Sequence, residues 1–437
     1  MIKGVLKING KVAMTPPMGW NSWDCYGASV TEDEVKGNAE YMANHMKEYG
    51  WEYVVVDIQW YEPGAKNSIY RPFVPLQMDV YSRLIPAPNR FPSSKNGKGF
   101  KPLADYIHNL GLKFGIHIMR GIPRQAVHLN TAIYGTDIRA REIAHVNSIC
   151  SWNTDMYGID PTKKGAQEYY DSIFKLYSEW GVDFVKVDDI AYSDIGFEKY
   201  HIGEVELIRN AIERCGRKIV LSLSPGPALI EYADHLKKYA DMWRISGDFW
   251  DRWDDLYNAF EKCNQWCRYV GEGHWPDADM LPIGHIGIRS CEHGLGDRWT
   301  RFTKDEQMTL MTLWCIFRSP LMVGCELRDS DEWTLSILTN EEVLRVLKYS
   351  HSGRQVLRYG QYIVWSALDE DGSYYLALFN IGPITSNLDL QLNKADIPLG
   401  DYLVRDLWRH QVIGTVNQNI NLEIPSHGVR FLKLIKK

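Results

Sequence analysis

One unit recurs along this chain: a helix-like stretch, a glycine turn, a short apolar strand and a charged tip. It is clearest at Gly181-Val182-Asp183, which leads into Phe184-Val185-Lys186-Val187-Asp188-Asp189. A strand buried in a parallel sheet is nearly all apolar, so a lysine and two carboxylates there need a reason. Side-chain alternation places Lys186 and Asp188 on one face, and Val185, Val187 and Asp189 on the other. A cation and a carboxylate on the inner face lose hydration unless they pair or hold something. Asp189 fits a plain strand-end role, capping the next helix. Asp188 fits it less well, because Lys186 shares its face.

The same rhythm reads through most of the chain. Pro16 to Trp23 reads as a rigid entry to a first strand bearing two tryptophans, and further strands are expected at 53–60, 113–119, 184–189, 218–224, 242–247 and 321–323, with a weaker candidate at 269–271. Helices are expected at 31–50, 102–110, 164–180, 201–215, 228–239, 252–266 and 303–317. Thr31 with Glu34 has the spacing of a capping box. About eight alternating units specify an α/β fold of the (β/α)8 barrel type rather than an open doubly wound sheet. No glycine-rich phosphate or dinucleotide loop follows the first strand. At 437 residues the chain exceeds one core. From about residue 349 short β-rich runs separated by turns replace the rhythm, so a barrel over 1–348 and an antiparallel β-sandwich over 349–437 are expected.

In such a barrel, function gathers where strands end and loops begin. Those ends supply Trp23, Asp57, His117, Lys186, Asp188, Ser224, Arg244, Asp248, Asp277 and Asp279. Long connections at 61–99 and 120–161 both follow strands, and loops of that length are commonly functional. The chain also carries 16 Trp and 25 Tyr, whose faces stack on the C–H faces of sugars and also fill cores. A bowl of carboxylates, few cations and tryptophans suits a sugar better than a phosphate. Two carboxylates can cleave a glycosidic bond, one attacking the anomeric carbon and the other protonating the departing oxygen. Lys186 suits Asp188 to the first role by keeping it ionised. Asp248, among Phe249, Trp250 and Trp253, is expected in an apolar setting that suits the second. Plainer roles compete. Arg244 fits an ion pair with a structural aspartate, Asp277 and Asp279 fit loop caps, His117 fits a packed histidine, and Trp20 fits the core.

Taken together, Pro17-Met18-Gly19-Trp20-Asn21-Ser22-Trp23, Val56-Asp57 with Trp60, Gly111-Leu112-Lys113-Phe114-Gly115-Ile116, Lys186-Val187-Asp188, Trp243-Arg244 with Asp248, and Asp277-Ala278-Asp279-Met280-Leu281 resemble one family. It is the α-galactosidase and α-N-acetylgalactosaminidase family, glycoside hydrolase family 27, over nearly the whole chain. The resemblance implies a retaining mechanism with Asp188 as nucleophile and Asp248 as acid/base. It implies sugar contacts from Trp23, Asp57, Lys186, Arg244 and Asp279, and no metal or other cofactor. The sequence departs from the family at three site positions. Galactose-specific members usually follow the Asp57 equivalent with a second aspartate, where Ile58 stands here. His117 replaces a tyrosine. Ser224 replaces a glutamate beside the 2-hydroxyl, which resembles the N-acetylgalactosaminidase branch. The implied substrates are small glycosides ending in an α-galactose-type sugar, with β-L-arabinopyranosides as the alternative.

Readings from other classes are a Mg²⁺ enzyme using Asp188, Asp189, Asp277 and Asp279, and a sugar-binding barrel without turnover. The net charge of -6 speaks against a nucleic-acid footprint. No stretch approaches the ~20 apolar residues of a membrane span, and nothing indicates an oligomer. The first residues, 1–6, lack the apolar run of a leader peptide. The eight cysteines include no Cys-x-x-Cys pair, which with that start points to a cytoplasmic protein with reduced thiols.

Overall fold

A computed structural model describes residues 12–194 and 198–437; the N-terminal run 1–6 lies outside them. Eight parallel strands form the central sheet: β1 (Met18–Asn21), β2 (Tyr53–Val56), β3 (Lys113–Met119), β4 (Phe184–Asp188), β5 (Val220–Leu223), β6 (Met242–Arg244), β7 (Trp275–Asp277) and β8 (Leu321–Val323). They neighbour one another in the order β7-β6-β5-β4-β3-β2-β1-β8, and the parallel bridge Leu281–Val323 joins the two ends. At least one helix follows each strand, among them α1 (Glu32–His45), α2 (Lys101–Asn109), α3 (Ala166–Trp180), α4 (Ile202–Arg214), α5 (Ala233–Tyr239), α6 (Trp253–Trp266), α7 (Lys304–Phe317) and α8 (Glu341–Tyr349). This is the (β/α)8 barrel.

Local sequence explains the turns that set the rhythm. Thr31 N–H donates to Glu34 Oε2 (2.9 Å), and Thr303 and Glu306 close a capping box at the start of α7. Gly181 takes φ +86° at the end of α3, a conformation open to glycine, and turns the chain into β4. Within β4 the expected alternation holds. Val185 and Val187 join the core between sheet and helices. Phe184 points inward and meets Tyr53, Val55, Val220, Met242, Trp275 and Met322, an apolar plug filling the lower barrel. Lys186 and Asp188 continue that inner face above the plug, so the barrel turns from apolar to ionic toward its C-terminal end.

Two elements differ from expectation. The seventh strand is Trp275–Asp277, and 269–271 only follows the 3-10 turn Cys267–Tyr269. The reason is register: β7 pairs with β6 through Trp275–Met242 and Asp277–Arg244. The connection 120–161 is not open loop. It folds into an antiparallel three-stranded sheet (Ile122–Pro123, Met156–Ile159, Ala144–Ile149) with two short helices, standing over the same barrel end.

Beyond α8 the chain forms a six-stranded antiparallel sheet and a two-stranded sheet, Ser386–Gln391 with Asn419–Ile424. Val364, Leu376, Leu378 and Leu432 face Leu388, Leu390 and Ile420 between them. The alternate residues, Ile363, Trp365, Tyr375, Ala377, Phe379 and Phe431, belong instead to the core cluster of the barrel. Among the described residues no helix is long and apolar enough to cross a membrane.

Candidate active site

A cavity of about 350 Å³ opens at the C-terminal end of the barrel. Trp23, Asp57, Ile58, Lys186, Asp188, Ser224, Arg244, Asp248 and Asp279 all line it, brought from after β1 through after β7. A second cavity of about 410 Å³ lies at the opposite end, against the starts of β5, β6 and β7. It holds none of these residues.

Asp188 sits at the centre. Its Oδ2 lies 2.6 Å from His117 Nε2 and 3.5 Å from Lys186 Nζ. Lys186 Nζ also lies 3.1 Å from Asp57 Oδ2, which accepts from Asn21 Nδ2 at 2.7 Å. Burial opposes ionisation of Asp188, but Lys186 and His117, with hydrogen bonds from His117 and Ser224, outweigh it and hold the carboxyl well below the usual carboxylate range. Burial likewise opposes the charge on Lys186, and Asp188 and Asp57 more than restore it, so the ammonium stays protonated. Asp57 is held low by the same Lys186 and His117 against its burial. The centre is thus two carboxylates and one cation, all ionised.

The other side is organised by Arg244. Its Nη2 lies 2.6 Å from Asp279 Oδ2 and 3.2 Å from Asp248 Oδ1. Asp279 also accepts from Phe249 N–H (2.7 Å), and its backbone stands at φ +95°, an uncommon conformation for an aspartate. The expected ion pair of Arg244 is therefore real, and it sits in the cavity wall. Burial, with Asp248 and Asp277 nearby, pushes Asp279 upward against the pull of Arg244.

Two expectations are corrected. His117 does not line the cavity; it is fully buried beneath Asp188, because β3 places it beside Lys186 in register. Its ring nitrogen Nε2 meets the Asp188 carboxylate. Asp248 lacks the expected apolar enclosure: its side chain is 57% exposed. Phe249 and Trp250 turn into the core and leave Asp248 on the outer side. A third finding bears on the metal reading. Asp189 faces away from Asp188, paired with Arg120 at 2.8 Å. The donor atoms of Asp57, His117 and Asp188 do cluster within 4.8 Å, but Lys186 already stands 3.1 and 3.5 Å from those two carboxylates, where a cation would sit.

Sequence reading missed several wall residues. Tyr70 stacks on Trp23 (ring centroids 6.0 Å apart, planes at 15°), and Trp152 from the inserted sheet leans on Tyr70 at 5.5 Å. Both line the cavity, as does Asp24. Their signal was there: the two aromatics lie in the two long connections. Trp20 is core, as expected, fully buried with Nε1 donating to the Cys325 carbonyl.

A buried ionised carboxylate beside an exposed one, in a cavity walled by tryptophan and charged groups, is the machinery of a glycosidase. Comparison with known proteins agrees. The profile of α-galactosidase A matches residues 15–165 and 161–348, and that of the α-galactosidase C-terminal β-sandwich domain matches 359–434. The chain belongs to glycoside hydrolase family 27. A family 27 β-L-arabinopyranosidase from Geobacillus stearothermophilus, solved with arabinose, is 63% identical with a TM-score of 0.95, over 97% of this chain and 98% of that one. A Bacillus halodurans protein assigned provisionally as an α-N-acetylgalactosaminidase is 56% identical with a TM-score of 0.88, over 98% of each chain. Alpha-galactosidase 2 of Arabidopsis thaliana is 25% identical over 98% of this chain and 92% of its own.

Proposed function

We propose that this glycoside hydrolase removes terminal β-L-arabinopyranosyl residues with retention of configuration, and cleaves α-galactosides more slowly. The observation that carries the specificity is Ile58. It is 1% exposed, packs into the core and lines the cavity beside Asp57. β-L-Arabinopyranose has the ring stereochemistry of α-galactose without the hydroxymethyl arm. An apolar wall suits the missing arm, whereas a buried hydroxyl without a partner costs about 1–3 kcal/mol. The likeness to the Geobacillus enzyme points the same way. Ser224 argues less for the N-acetylgalactosaminide reading, since it is buried and its hydroxyl is engaged with Asp188.

In this reading Asp188 attacks the anomeric carbon, and Lys186 and His117 keep it ionised. Asp248 protonates the departing oxygen. The covalent glycosyl-enzyme is then hydrolysed by a water that Asp248 deprotonates, and two inversions give net retention. The solvent-exposed place of Asp248 suits a group that meets both leaving group and water. Trp23, Asp57, Arg244 and Asp279 hold the sugar. The natural substrates are small saccharides in a reducing compartment, a view supported by eight unpaired cysteines. A thiol titre near zero in the denatured, unreduced protein would contradict that compartment.

Nitrophenyl β-L-arabinopyranoside, α-galactoside, α-N-acetylgalactosaminide and α-glucoside, compared by kcat/KM, test the specificity. The arabinopyranoside should lead the α-galactoside by about tenfold, the weight of one unpaired hydroxyl. Preference for either galactose-type sugar overturns it, and no turnover of any would favour a binding barrel.

A further inference from the structure

Asp24 follows Trp23 in the short helix Trp23–Tyr26 and has no role in the mechanism above. Its side chain lines the cavity, yet the residue is only 3% exposed and Oδ2 has no hydrogen-bond partner. It is held in place from two sides. Its carbonyl accepts from Gly287 N–H at 2.9 Å. Its carboxyl lies flat on Gly324, just past β8, where any Cβ would overlap it. A glycine there therefore makes room for a carboxyl whose Oδ2 then has no hydrogen-bond partner, although a buried polar atom without a partner is costly. Such a group is accounted for when a ligand completes it. We propose that Asp24 is a further sugar-binding residue, whose carboxyl hydrogen-bonds one ring hydroxyl of the sugar held between Asp57, Asp188 and Asp279. The proposal rests on reading the cavity as a sugar site.

The electrostatic setting shows what kind of contact this is. Burial pushes the Asp24 carboxyl well above the usual range, Asp279 and Asp248 push further, and Lys186 opposes them only in part. A protonated carboxyl offers one O–H donor and one carbonyl acceptor. That pair is the complement of a sugar hydroxyl, which itself donates one hydrogen bond and accepts others. The ionised carboxylates of the site only accept, and Lys186 and Arg244 only donate. Asp24 is thus the acid suited to do both.

The test is a cycle between protein and ligand. Binding of L-arabinose and of D-galactose, each with its 2-, 3- and 4-deoxy analogue, is measured by inhibition or calorimetry on the wild type, Asp24→Ala and Asp24→Ser. In the wild type, deleting the hydroxyl that Asp24 meets should weaken binding about tenfold. In Asp24→Ala the same deletion should cost less than about twofold, so the two losses do not add. Asp24→Ser, which shortens the group by one atom and disturbs packing less, should show the same non-additivity if the alanine variant folds poorly. A purely structural Asp24 would weaken every ligand equally and leave each deoxy penalty intact, which overturns the proposal. If L-arabinose alone fails to bind, the proposed specificity falls and the galactose series still decides the role of Asp24. If neither sugar binds the wild type, the sugar site and this proposal fall together.

Discussion

Lys186→Met removes the cation that the centre of the site is built on and keeps most of its stem. The ammonium lies 3.5 Å from Asp188 Oδ2. At an effective dielectric constant of ~20 that pair is worth roughly 5 kcal/mol, or about 3.5 pH units at 1.36 kcal/mol per unit. The full amount will not appear, because His117 keeps its contact at 2.6 Å and Asp57, 3.1 Å from the same ammonium, shares its charge. A rise of about 2 units for Asp188 is expected. The sign is fixed by linkage. In the wild type the folded pKa values of Asp188 and Asp57 are depressed, so the stability they lend is complete above the unfolded value of ~3.9 and is lost as pH falls through the folded values. In the variant burial dominates and both carboxyls rise. Stability at neutral pH drops by about 3–5 kcal/mol, the penalty for breaking a buried pair, and part of it returns as the carboxyls protonate on acidification. The assay is kcat/KM on an activated aryl glycoside from pH 3 to 8, with tryptophan fluorescence marking the folded range. The wild-type limb should lie at or below the acid end of that range, and the variant's should move up into it. An acid limb unchanged from wild type would refute the pairing.

Asp188→Ala should abolish turnover, and azide should restore part of it as a substitute nucleophile, giving in one displacement a glycosyl azide inverted at the anomeric carbon; no rescue, or an inverted sugar from wild-type hydrolysis, contradicts the assignment. Asp248→Ala should slow glycosides with poor leaving groups far more than nitrophenyl ones, and equal slowing of both would remove Asp248 as the acid. Ile58→Asp should improve the α-galactoside about tenfold relative to the β-L-arabinopyranoside, the worth of one charge-assisted contact of ~1.4 kcal/mol. If that ratio falls instead, Ile58 does not stand at the hydroxymethyl position.

Much of the site was legible because the barrel writes it into sequence at fixed places. Lys186, Asp188, Asp57, Arg244 and Asp279 each end an apolar run, and one strand's alternation already put Lys186 and Asp188 together. What stayed hidden depends on partners distant in sequence. The seventh strand was misplaced because Trp275-Pro276-Asp277 carries a proline, which reads poorly as a buried strand. It is set by its register with β6, which local propensity does not encode. The helix α8 was passed over although Asn340 caps it through Glu342 and Val343. The exposure of Asp248 follows from which way its aromatic neighbours turn, and composition reads the same either way. Asp24 was the least legible. An acid in the first turn of a short helix is unremarkable until Gly324, from the other end of the barrel domain, is seen beneath it.

The helix α7 has an effect that reaches beyond the site. From Glu306 to Phe317 nearly every residue is buried, so it shows no solvent face of the kind an outer barrel helix usually keeps. One side meets the barrel: Trp314 Nε1 donates to the Asp279 carbonyl at 2.8 Å. The other meets the sandwich, where Thr309 Oγ1 donates to the His427 carbonyl (2.8 Å) and Trp408 Nε1 to Thr312 Oγ1 (2.9 Å). The two halves are therefore separate in chain order but not in cooperativity. Heat or denaturant that loosens the sandwich bares an apolar side of α7 and slackens the backbone of Asp279, a wall of the catalytic cavity. The C-terminal sheet acts as a distant brace for the sugar site, and shortening the chain before it would cost activity as well as solubility.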